Sequence, residues 1–307
     1  MPQQVPLNAQ LLYEARATLG EGPVWDRKKQ CLYWVDIEGR SLHCHDAGAG
    51  SNTSWDFDTM PGAVFPVDDG RLLLAMEDGF ALFDPLTPGL IPLNLLRNSD
   101  KALRFNDGKC DPYGNIWIGT MHKGLAPNAG NLYRISKKGK VSAILRGTTV
   151  SNGMAWSPDH KRFYYSDTAT YELWSFKYDT ETAGITDKRV CFKIPETYGG
   201  ADGLCIDTEG MLWIAHWGGN CVRRWDPHKG VVLQTIKVPA PHVTSCCFGG
   251  PSHNILYITT AESGLDEAAL KEFPGSGNLF QCHLPFEGYP TNYVNANTLH
   301  HVSQFKE

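Results

Sequence analysis

Leu32-Tyr-Trp-Val-Asp36, Ile116-Trp-Ile-Gly-Thr120 and Leu212-Trp-Ile-Ala-His216 are one pattern written three times, and Leu72-Leu-Leu-Ala-Met76, Phe163-Tyr-Tyr-Ser-Asp167 and Leu256-Tyr-Ile-Thr-Thr260 are looser copies of it. Their second residues, Tyr33, Leu73, Trp117, Tyr164, Trp213 and Tyr257, are separated by 40, 44, 47, 49 and 44 positions. A period in the range of about 40 to 50 residues is that of propeller blades and other arrays. Each run is preceded by a turn carrying Asp, Gly or Pro, such as Asp69-Gly70, Asp111-Pro-Tyr-Gly114 or Asp207-Thr-Glu-Gly210. Another apolar run follows it, such as Gly79-Phe-Ala-Leu-Phe83 or Asn131-Leu-Tyr-Arg-Ile135. This is hairpin chemistry, and a last segment such as Val141-Ser-Ala-Ile-Leu145 brings the unit to four strands. Helical periodicity is confined to residues 265–272.

The pattern predicts an all-β chain, a six-bladed β-propeller with four antiparallel strands per blade, in which blades bury their faces against one another and leave only short edges exposed. Pattern alone leaves an open stack or a two-domain sandwich as alternatives. The sixth unit lacks a regular fourth strand, and residues 11–18 are placed to supply it and close the ring. Residues 1–10 are expected to form a flexible N-terminus and residues 11–307 a single propeller domain.

Composition narrows the function classes. The 307 residues are 42% hydrophobic, with 9 Trp, 12 Tyr and 13 Phe against 20% charged residues, which is the make-up of a packed globule. The net charge of -5 is interspersed, with no Lys/Arg run able to track a phosphate backbone, so no nucleic-acid partner is expected. No stretch approaches the roughly 18 apolar residues of a membrane helix, and no basic segment followed by an apolar run opens the chain. A cytoplasmic protein, a monomer or weak homodimer, is expected. Nine cysteines without a CxxC pair read as free thiols. His43 and His45 flank Cys44 on one strand with no partner at metal-site spacing, and are expected on an exposed edge.

Counting back from each marker locates a ring of polar residues. Glu21 lies 12 positions before Tyr33, Asn106 lies 11 before Trp117, Asn152 lies 12 before Tyr164, Asp202 lies 11 before Trp213 and Ser245 lies 12 before Tyr257. In a propeller, equivalent positions at the entry of the innermost strands converge at one end of the central channel. Glycine follows four of the five within two residues, which permits tight backbone at a crowded axis. The second repeat has Pro61-Gly62 instead, leaving a sector open to substrate. A single Gly-flanked Asn or Asp usually caps a turn; four in one register point further. Two carboxylates with an amide oxygen suit one hard divalent ion such as Ca²⁺, Mg²⁺ or Mn²⁺, and a cation is the simplest means of keeping both carboxylates ionised at close range.

Six stretches also resemble the SMP-30/gluconolactonase/LRE-like family: Leu19-Gly-Glu-Gly-Pro-Val-Trp25, Arg104-Phe-Asn-Asp-Gly-Lys109, Gly119-Thr-Met121, Ser151-Asn-Gly153, Ala201-Asp-Gly203 and Thr244-Ser-Cys-Cys-Phe-Gly-Gly250. The resemblance implies that Glu21, Asn152 and Asp202 bind the metal, that Arg104 and Asn106 contact the substrate, and that Asp202 doubles as the base. After Gly-Thr-Met the vertebrate members carry a pair of acidic residues, whereas this chain has His122-Lys123-Gly124, so sugar preference does not carry over. His122, at the end of the third unit's second strand, is a candidate substrate contact.

The expected reaction is hydrolysis of a sugar lactone to the aldonic acid, with one divalent ion (Ca²⁺, Mg²⁺, Mn²⁺, Zn²⁺ or Fe²⁺) polarising the carbonyl and activating water. No GxSxG, HExxH, P-loop or strand-linked GxGxxG appears, so serine hydrolases, zincins, NTPases and dinucleotide enzymes lack their signatures. Two alternatives stand beside it: a non-enzymatic calcium-binding regulatory propeller, or a broader esterase or phosphotriesterase, for which Trp217 and Tyr198 would widen and grease the mouth.

Overall fold

In the computed structural model, which describes residues 6–303, the six repeats are six sheets. Blade 1 is built from Gly20–Asp26, Cys31–Asp36, Ser41–Asp46 and Ser51–Asp56, and blade 2 from Pro61–Pro66, Leu72–Met76, Gly79–Phe83 and Leu90–Leu93. Leu103–Cys110, Ile116–His122, Gly130–Ile135 and Val141–Thr148 make blade 3; Ser151–Trp156, Arg162–Asp167, Glu172–Tyr178 and Ile185–Lys193 make blade 4. Blade 5 comprises Gly200–Ile206, Leu212–Trp217, Cys221–Asp226 and Val231–Lys237. Every neighbour within these blades runs antiparallel. The first strand of each blade packs on the first strands of the blades before and after it, so six innermost strands surround one axis.

The ring closes through the N-terminal segment. Blade 6 consists of Val243–Gly249, Ile255–Thr260 and Leu279–His283, and its outer strand is Gln10–Tyr13, which pairs antiparallel with Leu279–His283. That strand supplies the missing fourth member of the sixth repeat. Beyond it, Ala17 N–H donates to Gly277 O at 2.8 Å, continuing the attachment without strand geometry. Of the ten residues expected to be flexible, residues 1–5 lie outside the described part, while Leu7–Asn8 runs parallel to Val231–Lys237 and gives blade 5 a fifth strand.

The recurring run is the second strand of each blade, and its burial explains its composition. Tyr33, Trp117, Trp213 and Tyr257 are each at most 2% exposed and fill the space between adjacent blades. Trp25 of blade 1 stacks on Tyr257 of blade 6 with centroids 5.5 Å apart, Trp117 of blade 3 packs at 4.8 Å from Phe163 of blade 4, and Trp213 of blade 5 meets Phe248 of blade 6 edge-on. Such large rings dominate packing energetics, each burying on the order of 150–250 Å².

Two local expectations change. The strand Ser41–Asp46 is third in its blade and Ser51–Asp56 covers its outer side, so it is no edge; His45 is buried and His43 stacks on Trp34 at 3.9 Å. The helix expected at residues 265–272 forms over Glu267–Glu272, where the Asp266 side chain caps it by accepting from Ala269 N at 2.8 Å. All nine cysteines are free thiols, and among the described residues no helix is long and apolar enough to cross a membrane.

Candidate functional site

All six innermost strands break register at the same level. Pairing slips between Glu21 and Val24, Pro61 and Ala63, Phe105 and Gly108, Ser151 and Met154, Ala201 and Leu204, and Val243 and Ser245. Such bulges re-aim side chains and are common beside active sites. Glu21 opens the bulge of blade 1, while Asn106, Asn152 and Asp202 lie inside theirs. Ser245 shares their sequence register but not their geometry: the bulge of blade 6 holds only Thr244, so Ser245 already pairs regularly with Thr259. It packs against Gly203 of the neighbouring blade.

The glycines after these residues reflect crowding. A Cβ on Gly153 would lie 2.5 Å from Asp202 O, and one on Gly203 would run into the Ser245 hydroxyl, so no larger residue fits either position without moving a neighbouring strand.

Five of the six predicted site residues are brought together and are at most 8% exposed: Glu21, Arg104, Asn106, Asn152 and Asp202. Arg104 Nη1 donates to Asn106 Oδ1 at 2.5 Å and to Phe105 O at 3.1 Å, and Asn106 Nδ2 donates to Ser151 O at 2.9 Å. A carbonyl can only accept and a guanidinium can only donate, so the Asn106 amide has one orientation. Asn152 Nδ2 donates to Thr168 Oγ1 at 3.0 Å, whose own hydroxyl donates to Ala201 O at 2.7 Å. Glu21 Oε2 accepts from Gly22 N at 2.8 Å.

Sequence reasoning missed a third carboxylate. Asp107 is 5% exposed and close enough to Glu21 and Asp202 to raise the pKa of both. Its signal was the Asn106-Asp107-Gly108 triplet, where blades 4 and 5 place glycine directly after the polar residue. On its other side lies Lys109, whose ammonium donates to Met154 O at 3.1 Å and to Leu204 O. Asp107 and Lys109 line a cavity of about 540 Å³ that continues along the channel between Phe65, Trp156 and Phe248.

Burial and mutual repulsion disfavour ionisation here. The Glu21 carboxyl is pushed up to about 8, chiefly by burial and then by Asp107. Asp202 is raised well above the carboxylate range by burial, by Glu21 and by Asp107, and Asp107 is itself raised by burial. Arg104 opposes these charges but is also pulled down by burial.

Oxygens without partners remain inside this cluster. Asn152 Oδ1, Asp202 Oδ1 and Asp107 Oδ2 are buried and make no hydrogen bond. A buried polar atom left unpaired costs on the order of 1–3 kcal/mol, so three in one place mark where an external group belongs. Among the described residues no three His, Cys, Asp or Glu side chains converge as a ready metal cage. The donors that fit an ion are the Asn152 and Asp202 oxygens together with the Glu21 carboxylate, an all-oxygen set for a hard cation with room for further ligands.

The structure leaves His122 apart from this group. It ends Ile116–His122, and its Nδ1 accepts from Gly124 N at 2.9 Å in its own turn, while Lys123 pairs with Glu77 of blade 2. Trp217 stacks on His242 with centroids 3.9 Å apart, and Tyr198 stacks under the Arg223 guanidinium, so both rings already have protein partners.

The model of the SMP-30/Gluconolactonase/LRE-like region matches residues 19–262. A putative sugar lactone lactonase, YvrE, of Bacillus subtilis (strain 168) is 36% identical over 283 residues, covering 92% of this chain and 97% of that protein. Regucalcin of Gallus gallus is 37% identical over 282 residues, 90% of this chain and 94% of its own. The solved structure of a calcium-binding regucalcin from Agrobacterium tumefaciens superposes with a TM-score of 0.90 at 31% identity, covering 94% and 98% of the two chains.

Proposed function

This chain belongs to the SMP-30/gluconolactonase/LRE-like family, and from that premise we propose that it hydrolyses a sugar lactone to the aldonic acid with a divalent cation held by Glu21, Asn152 and Asp202. The observation that carries the proposal is the pair of unpartnered oxygens, Asn152 Oδ1 and Asp202 Oδ1, buried beside a guanidinium and a fixed amide. A bound cation supplies Lewis-acid polarisation of the lactone carbonyl and the positive charge that keeps both carboxylates ionised.

The remaining steps belong to the protein. Arg104 and Asn106, locked to each other, present donors to the ring hydroxyls and to the oxyanion that develops as water adds to the carbonyl; preorganised donors of this kind contribute a few kcal/mol, about 10²–10³ in rate. Asp202 takes the proton of the attacking water, and the ring C–O bond breaks as its oxygen receives that proton. Blade 2 contributes only Pro61-Gly62 at this level, and the lactone enters over that sector. His122 stands apart from the cluster, and with Nδ1 engaged by its own turn only its Nε2 is left to contact a sugar that extends that far. The sugar lactonase named among the relatives supports the substrate class.

A second reading follows from the calcium-binding relative, in which the ion is regulatory and no reaction occurs. The Arg104–Asn106 pair favours the enzyme, since a purely structural ion needs no such donors beside it. The test is proton release from a panel of aldonolactones by metal-stripped protein reconstituted with Ca²⁺, Mg²⁺, Mn²⁺, Zn²⁺ or Fe²⁺. Hydrolysis that a chelator abolishes is expected. Chelator-insensitive hydrolysis rejects the cation, and no hydrolysis with any ion leaves the binding protein.

A further inference from the structure

An amide side chain offers a cation either its oxygen or its NH₂ group, and only the oxygen can be a ligand. The two orientations of Asn152 are nearly isosteric, so something outside the amide must decide between them. Thr168, in the short turn after Arg162–Asp167, is placed to do so. Its hydroxyl hydrogen is committed to Ala201 O at 2.7 Å, because a backbone carbonyl can only accept. The Thr168 oxygen is therefore an acceptor toward its other neighbour, Asn152, 3.0 Å away. That contact is satisfied only when Asn152 turns Nδ2 to Thr168, which leaves Oδ1 as the buried oxygen without a partner.

The same hydroxyl fixes spacing as well as orientation. Ala201 directly precedes Asp202, so one side chain ties the amide of blade 4 to the backbone that carries the carboxylate of blade 5. Its methyl group packs on the bare face of Gly200, where a Cβ would lie only 2.7 Å from Thr168 Cγ2.

Granting the cation site proposed above, we infer that Thr168 is a positioning residue for it, holding the Asn152 amide oxygen toward the ion through a hydrogen-bond chain that runs from Asn152 through Thr168 to Ala201. Partners that orient a metal ligand typically change metal affinity by about 10- to 100-fold when removed. Valine keeps the shape of threonine and lacks the hydroxyl; serine keeps the hydroxyl and lacks the methyl group.

The experiment is titration calorimetry of metal-stripped protein with Ca²⁺ and Mn²⁺, with thermal melting in chelator to confirm that each variant is folded. Thr168→Val is expected to weaken binding by about 10- to 100-fold, and Thr168→Ser to restore it. The decisive arm repeats Thr168→Val in an Asn152→Asp background. A carboxylate has oxygen on both arms and needs no orienting, so the penalty should vanish there, whereas a merely structural role costs the same in both backgrounds. Equal affinity of Thr168→Val and the unsubstituted protein, or an equal loss in both backgrounds, overturns the inference and leaves the cation site standing. If the unsubstituted protein binds neither ion, the site and the inference fall together.

Discussion

The innermost strand of blade 5, Gly200–Ile206, has an aspartate near each end, and the protein treats them in opposite ways. Asp207, just past the strand, is fully buried and saturated. Oδ1 accepts from Glu209 N at 3.0 Å and Met211 N at 2.9 Å, and Oδ2 from Trp213 Nε1 at 3.0 Å and Arg224 Nε at 2.7 Å. Asp202, five residues earlier and 4% exposed, has an oxygen with no partner and faces other carboxyls. Blade 3 repeats the contrast: Asp111, after its inner strand, accepts from Asn115, Trp117 and Tyr178, while Asp107 within that strand has an orphaned oxygen. Burial of an acid is therefore no mark of function in this fold. What separates the two ends of the channel is whether the protein itself fills the lone pairs.

The contrast is sharpest in activity. Asp202→Ala and Glu21→Gln should each reduce lactone hydrolysis by at least about 10²-fold, the scale of a lost base or metal function. Asp207→Asn, once folded, should hydrolyse at the unsubstituted rate. Proton-release kinetics on purified variants checks both, and comparable losses at Asp202 and Asp207 would erase the distinction.

Stability should separate the same residues with opposite signs. Asp207→Asn breaks a buried pair with Arg224 and should cost about 3–5 kcal/mol in urea unfolding. Asp202→Asn removes a charge that burial and Glu21 disfavour, so in chelator its melting point should rise above that of the unsubstituted protein. A fall at both positions would mean that Asp202 is satisfied by groups other than a cation.

Much of this division was legible in the sequence, and its limits were physical. The marker strands stood out because a residue wedged between blades must be large and apolar in every repeat, and a constant offset then reached Glu21, Asn106, Asn152 and Asp202. Offset could not distinguish Ser245, because a bulge one residue shorter returns that position to regular pairing. Nor could it find Asp107, since alternation in a strand sends adjacent residues to opposite faces and only a bulge turns both Asn106 and Asp107 toward the axis. Asp111 and Asp207 were visible only as turn residues; the indole, phenol and guanidinium that saturate them come from later strands.

A smaller effect tests the orphaned oxygens directly. If they await a cation, a saturating divalent ion at about 100 times its dissociation constant should stabilise the fold by about 2.7 kcal/mol through mass action. Thermal melting with and without the ion should show that increment in the unsubstituted protein and in Asp207→Asn, measured from its own lower baseline. Asp202→Asn should not show it. A shift that survives Asp202→Asn would place the ion elsewhere.

His216, also in blade 5, is a third case between the two aspartates: a buried group that the protein holds neutral. Trp225 Nε1 can only donate, so at 3.3 Å it requires His216 Nε2 to be unprotonated, and the ring proton lies on Nδ1, 3.5 Å from Gly199 O. Burial, with Arg223 nearby, pulls the imidazole from its ordinary 6.5 down to about 3. Between those values the unfolded chain binds a proton that the folded chain refuses, so this stabilisation is complete above about pH 6.5. It is lost on acidification at up to about 1.4 kcal/mol per pH unit until the folded group titrates. His216→Gln can accept from Trp225 and cannot titrate. Its deficit against the unsubstituted protein should therefore be largest at pH 7 and narrow by more than about 1 kcal/mol by pH 5, whereas a constant gap in urea unfolding would show that the imidazole is not held neutral. A narrowing gap would put His216 with Asp207, among the buried polar groups whose state the protein fixes by itself, and leave the bulge residues as the ones it does not.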